Sequence, residues 1–480
     1  MKRFNYKKII SIVLIVLTLT LLLLIILNAS SEPHIRFIDV EGGKENAEFL
    51  QQRIKIYFSR PVEKTADNKS IDFRGYIKID PQIDFNLSWN GNTLNIIPKN
   101  TLDEDTEYKL DVLPGFKDVY GNTIEDKFEY TFKTKALNFA YLEKNYPAAK
   151  DKVISRDAKN TNSKVLAEDN NIKQYSINKD YITLITINSD LTNTIKIINL
   201  KDNSTKDLSF NKASVSKIDL SNTLNAFIYI YQQVEPKGQF LQPLSGNLIK
   251  IYDLSTGAIT DFNPQNTASD VMDASFSPDG KSILYRSSDS YYFLAPLDNS
   301  SDPISIGKYT GTGGFNFDGT KIIFTSYDPL ATYSSFPFVV IFTSDRKTIN
   351  ITDPANYIVD PKFFNKDDNI LFGEKDQDLL GSQGIFKIVN GIKGEASVGD
   401  YTFKDSMSDS VRSLELPMAS WDDNYIITER YGKEALLDYQ NQRSFINQAK
   451  PYKADLVIFD LKNNTILTEV KNGIDAKWLR

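Results

Sequence analysis

With no cysteine and one histidine among 480 residues, the groups left for catalysis or ligand capture are carboxylates, lysine, tyrosine and serine. Thiolate nucleophiles, disulfides and cysteine-based metal sites are excluded together. One imidazole builds no histidine metal cluster, and a Ser-His-Asp triad would have to use His34, which lies just past an apolar segment and reads as a solvated linker residue. Asp376 and Asp378 are close enough in sequence for paired acid–base work, but neighbouring acids in an acidic loop specify no pocket. Asp367-Asp368 and Asp422-Asp423 sit where tight turns are expected and read as turn formers. The calcium-loop pattern D-x-[DN]-x-[DN]-G does not occur, and no metal or cofactor is expected.

Net charge is −6; the first eight residues carry four positive charges and no acid, so the remaining chain stands at −10. A nucleic-acid partner, which needs a basic face, is not expected. Apolar residues make up 41% and charged residues 25%, an ordinary globular balance with length for more than one core. Twenty-five tyrosines and 29 phenylalanines favour strands.

The run Ile9 to Leu27 is interrupted only by Ser11, Thr18 and Thr20. At about 1.5 Å per residue it can span a bilayer core of about 30 Å. Lys2, Arg3, Lys7 and Lys8 precede it, so segment 1–8 is expected in the cytoplasm, 9–27 in the membrane as a single-pass anchor, and 28–32 as a linker to an extracytoplasmic remainder. The alternative is cleavage after Ala29-Ser30-Ser31. An exported chain of this size without cysteine suits a bacterial envelope.

Residues 33–135 alternate with period two, as at Ile54, Ile56 and Phe58 or Tyr108, Leu110 and Val112. Turn residues at Arg60-Pro61, Asp80-Pro81, Asn90-Gly91, Pro114-Gly115 and Gly121-Asn122 divide the segment into about seven short strands, the pattern of an antiparallel sandwich. Trp89, beside the Asn90-Gly91 turn, is expected to cap its core. The order Phe58-Ser59-Arg60-Pro61-Val62, Trp89 to Leu94, Pro98, Thr106-Glu107-Tyr108, Asp118 to Asn122 and Phe132-Lys133-Thr134 resembles the bacterial Ig-like domain of S-layer and other surface proteins. That resemblance implies a spacer or adhesive module without catalytic residues.

Residues 137–480 repeat. Asp273 to Tyr285 (DASFSPDGKSILY) and Phe315 to Phe324 are the clear copies, Phe363 to Phe372 follows the same frame, and weaker copies begin at Tyr175, Leu220 and Ala419. Each is a strand, a tight polar turn and a second strand, usually followed by two more, which is the arithmetic of a β-propeller blade. Asp475-Ala476-Lys477-Trp478 matches Asp273-Ala274-Ser275-Phe276 as a lone innermost strand, while Asn138-Leu142, Lys152-Arg156 and Lys164-Leu166 read as three strands lacking one. Pairing the two halves closes a seven-bladed ring; six blades remain if the segment before Tyr175 is irregular. The repeats are similar to those of TolB-like, WD-type propellers. The Asp-Gly spacing differs from that of sialidase boxes, and the absence of G-x-S-x-G leaves prolyl-peptidase activity unsupported.

The expected fold is therefore all-β behind a transmembrane helix. Function is expected on the propeller face carrying the long second-to-third-strand loops, Gln232 to Ser245, Asp328 to Ser335, Glu374 to Gln383 and Arg430 to Lys453, the last with a short helix over residues 433–449. Candidate ligand or partner contacts there are Gln239, Phe240, Tyr327, Asp328, Tyr333, Glu374, Asp376, Arg430, Tyr431 and Lys433. The leading expectation is a non-enzymatic, membrane-anchored envelope protein whose propeller binds an envelope protein or cell-wall glycan. The alternative is a carboxylate-based glycan hydrolase or lyase.

Overall fold

The computed structural model describes residues 6–30, 33–45, 47, 52–62, 73–159, 162–262, 270–309, 313–325, 338–351, 357–365, 369–375, 385–389, 398–404, 411–432 and 454–479, some by backbone alone. The chain forms two compact units, Met1–Ala136 and Leu137–Arg480. Each has its own core.

The first unit begins with a helix, Tyr6–Ser30, whose side chains at positions 10–23 are all exposed. Among the described residues no helix is long and apolar enough to cross a membrane. Among the described residues seven strands follow in two antiparallel sheets. The four-stranded sheet orders Ile35–Val40, Ile54–Phe58, Thr93–Pro98 and Phe85–Asn90; the three-stranded one orders Ile77–Asp80, Glu107–Val112 and Phe128–Lys133. Alternation puts Ile54, Ile56, Phe58, Leu94, Ile96, Leu110 and Phe132 inside. Trp89 is half-buried, its ring 4.9 Å from that of Phe73 and 5.6 Å from that of Phe58, so it belongs to the core as expected. A 3-10 turn, Phe73–Tyr76, departs from an all-strand reading among the described residues of the sandwich, and it supplies Phe73 to that cluster.

Among its described residues the second unit holds seven four-stranded antiparallel paths, one of them with an added hairpin strand. Their leading strands are, in order, Gly473–Trp478, Ile172–Ile177, Ala213–Leu220, Val271–Phe276, Gly314–Phe315, Tyr357–Phe363 and Val411–Ala419. Each sheet packs its apolar side chains on the next. Ile228, Ile230 and Ile249 of the third sheet meet Ala274, Ile283 and Tyr285 of the fourth, and Leu284 and Tyr292 of the fourth meet Ile322 and Phe324 of the fifth.

The last strand in the chain joins the first sheet. Gly473–Trp478 pairs antiparallel with Asn138–Glu143, with Trp478 opposite Phe139. Trp478 is 5% exposed, stacks edge-on against Phe139 at 5.8 Å and donates its Nε1–H to Met418 O of the seventh sheet at 3.0 Å. The succession of sheets thereby returns on itself. The region expected as a long loop, Gln232 to Ser245, is instead a hairpin: Ala226–Lys237 runs twelve residues, and its far half pairs with Phe240–Pro243. Val234, 1% exposed, anchors it.

Candidate functional site: the mouth of the sheet ring

The residues nominated from the long loops do not form a described cluster. Tyr327, Asp328, Tyr333, Asp376 and Lys433 lie outside the described residues, as does the helix expected over 433–449. Glu374 and Tyr431 fall within strands Ile370–Lys375 and Tyr425–Gly432 and are described by backbone alone. Gln239 and Phe240 sit at the tip of the added hairpin, Phe240 with 53% exposure. Arg430 is held inside its sheet, where Nη1 and Nη2 donate to the two oxygens of Glu469 at 3.2 and 2.9 Å. At 7% exposure it braces neighbouring strands and is closed to a partner.

One cavity that the described residues form lies instead at the tight turns between first and second strands. The turns are built alike. Ser277 Oγ donates to Asp279 at 2.6 Å, Ser420 Oγ donates to Asp422, and Thr320 N donates to Asp318 at 2.9 Å. Asp422-Asp423 are thus turn formers, as expected, and Asp423 also accepts from Asn365 N of the adjacent sheet at 2.8 Å. Gly280 has φ +71, and a Cβ there would meet Leu224 Cγ of the preceding sheet at 2.9 Å, so its turn seats directly on a neighbour.

Because each turn is short, the residues ending the leading strands are brought together around an opening of about 270 Å³. Phe276, Phe315, Phe317, Phe363, Phe364 and Trp421 provide its aromatic walls. Asp219, Ser221, Asn222, Ser277, Asn316 and Asn365 provide its polar groups. Asp219 Oδ2 accepts from Phe276 N at 3.0 Å. Burial pushes its carboxyl above the usual range, although the Lys217 charge and the Phe276 N–H pull the other way.

Next to Asp219 the leading strands of the first four sheets converge on a set of charges. Lys217 Nζ lies 3.1 Å from Asp273, and Lys477 Nζ lies 3.7 Å from Asp475. Lys477 also donates to Tyr175 O and sits 4.4 Å from the Tyr175 ring centroid, while the Tyr175 hydroxyl donates to Asp475 O at 2.6 Å. Glu429 of the seventh sheet accepts from Asp475 N. Burial raises the Asp475 carboxyl; for Lys217 burial works downward, but the charges of Asp273 and Asp219 outweigh it and raise its pKa. Tyr175 and Glu429 are buried, but Lys217, Asp273, Lys477 and Asp475 keep 20–38% side-chain exposure, so solvent reaches these four. Among the described residues no group of three His, Cys, Asp or Glu is placed to hold a metal ion.

The sequence contained a signal for this site. Phe276, Phe315, Phe363 and Ala419-Ser420-Trp421 occupy one frame of the repeat, and Asp219, Asp273 and Asp475 fall a few positions before it. Loop length, by contrast, points to the other face.

None of the curated proteins compared with the chain matches it. Among solved structures, the β-propeller domain of Cps50 (Swd1) from Myceliophteria thermophila is similar at 11% identity and TM-score 0.40, covering 62% of this chain and 86% of that one. TolB from Acinetobacter baumannii is similar at 13% identity and TM-score 0.40, covering 70% and 81%. Hydrazine synthase of Kuenenia stuttgartiensis is similar at 9% identity and TM-score 0.39, covering 63% and 95%. Residues 29–134 match the family model of the bacterial Ig-like domain, the description that their seven-strand sandwich also fits.

Proposed function

We propose that this is a membrane-anchored, non-catalytic binding protein of a bacterial envelope. In this reading residues 9–27 anchor it, the Ig-like sandwich is a spacer, and the remaining unit is a seven-bladed propeller that takes its ligand, an envelope protein or a cell-wall glycan, at the aromatic mouth. The observation that carries the reading is the cavity itself, where six aromatic side chains and a few convergent polar groups are held by short, hydrogen-bonded turns. Binding is favoured over glycan hydrolysis because, among the described residues lining it, Asp219 is the one carboxylate. Hydrolysis by the usual route needs two, about 5–9.5 Å apart.

Two measurements test this. A reporter fused after Arg480 should be active only outside the cytoplasm, and the mature protein should retain its first eight residues; an N-terminus at Glu32 would overturn the anchor. The purified full chain should retain an envelope component through crosslinks to the mouth and lose it on Trp421→Ala. Retention unchanged by that substitution would overturn the site.

A further inference from the structure

The mouth is built for one chemistry more than others. We propose that it recognises a neutral sugar unit of one or two rings, an inference that rests on the mouth being the binding site.

An extended peptide is commonly recognised by lending its backbone to an exposed strand edge. Here the rim has little backbone to lend. Leu220 N donates to Ser176 Oγ, Phe276 N to Asp219, Ser277 N to Ser282 O, Asn316 N to Lys321 O, Phe364 N to Asn369 O and Asn365 N to Asp423. Recognition falls to side chains; Ser221, Ser277, Asn316 and the Asn365 amide are taken up within the turns, so among the described residues the groups on offer are aromatic faces, the Asp219 carboxyl and the exposed Asn222 amide.

Charge narrows the choice. Among the described residues no lysine or arginine lines the cavity, and the ammonium groups that act on Asp219, those of Lys217 and Lys477, lie against Asp273 and Asp475, so an anionic ligand meets no uncommitted cation among them. A cationic ligand would meet Asp219, whose charge is already offset by Lys217 and Lys477. What suits the site is a molecule with an apolar C–H face to lie on phenylalanine or tryptophan and hydroxyls for Asp219 and the exposed Asn222. The volume of about 270 Å³ falls just under the roughly 300–1,000 Å³ of pockets for drug-sized ligands, which limits the occupant to about one or two rings.

The experiment uses the full chain in a detergent without a sugar headgroup. Glucose, N-acetylglucosamine and their β-1,4-linked dimers are titrated, with glucuronate and N-acetyl-lysine amide as charged comparators, reading saturation-transfer NMR and tryptophan emission. Neutral sugars should bind with Kd in the millimolar range expected of so small a ligand. Trp421→Ala should weaken them about tenfold or more, Asp219→Asn about fivefold, and glucuronate should bind about tenfold more weakly than glucose. Asn222→Ala, at an exposed side chain, gives a second readout if Trp421→Ala fails to fold. Binding of the lysine amide but no neutral sugar would overturn the sugar assignment and leave the mouth as a binding site. If neither probe binds and Trp421→Ala leaves retention of the envelope component intact, both readings fall.

Discussion

In the sandwich, Asp118 is 2% exposed and receives hydrogen bonds from Arg60 Nη1 at 3.1 Å, Tyr120 N at 2.9 Å and Asn122 N at 2.9 Å, with Asn122 Nδ2 a further donor. Burial works to raise its carboxyl, but the donors prevail and hold it below the usual range. In the larger unit Asp219 has, among the described residues, one donor, Phe276 N, and Asp475 is approached by Lys477 at 3.7 Å; both carboxyls are pushed up. A carboxylate satisfied on all sides is fastened to the fold. One kept short of donors beside an opening is retained at some cost in stability, as groups at functional sites often are.

The contrast can be broken most forcefully at the ring's closing strand. Deleting Gly473 to Arg480 removes Trp478 and leaves Asn138–Glu143 paired on one side only, with Asp151–Asp157. Loss of a buried indole alone costs about 3–5 kcal/mol, a large part of a typical domain's stability. Calorimetry should show the propeller transition lost or far lower and the sandwich transition in place. An unchanged propeller transition would mean that the strand adds nothing to the ring.

Second in size is Arg60→Ala, which strands Asp118 in the sandwich. Removing one member of a buried pair costs about 3–5 kcal/mol. Only the sandwich transition should move, and a shift of both would sink the claim that the two units have separate cores.

Acid should separate the units by sign. Asp118, with a lowered pKa, contributes stability that is present above the unfolded value of about 3.9 and is lost as pH falls through its folded value. Asp219 and Asp475, with raised values, contribute stability that is present below about 3.9 and is lost as pH rises through theirs. The melting deficit of Asp118→Asn should therefore shrink toward low pH. The difference between Asp219→Asn and the unaltered chain should move in favour of the variant as pH rises from about 4 to 7. A parallel pH profile for both pairs would contradict the assignment.

The smallest effect is that of Asp219→Asn on stability at pH 7, within about 1 kcal/mol in either direction because a desolvated charge and its attraction to Lys217 are removed together. A large loss in urea melts would make Asp219 a structural anchor like Asp118.

Much of this was legible in the residues. Period two at Ile54, Ile56 and Phe58 marked a buried face because a strand alternates sides, and Ser277 to Gly280 marked a turn because its side chains bond their own backbone. Asp475 to Trp478 announced a leading strand by matching an internal copy. The Arg60–Asp118 pair was hidden, since two turn residues 58 positions apart reveal no contact until sheets stack. The mouth was missed for a related reason: its aromatics are contributed one or two per sheet, and only the ring's geometry makes neighbours of Phe276 and Trp421. The long second-to-third-strand stretch drew attention for its length, yet Gln232 to Ser245 resolves into a regular hairpin.

The strand that pairs Trp478 with Phe139 also sets a schedule. Lys477 and Tyr175, which it brings into contact, are separated by 302 positions. At roughly 5–20 residues per second of synthesis, about 15–60 s pass between the appearance of one and the other. The sandwich, complete by residue 134, can fold at once, whereas the ring must wait with its first sheet lacking a strand. If the chain is exported as it is made, Asn138–Glu143 emerges as an open edge that any passing strand could claim. The buried indole that arrives last then decides whether the edge is closed from within the molecule.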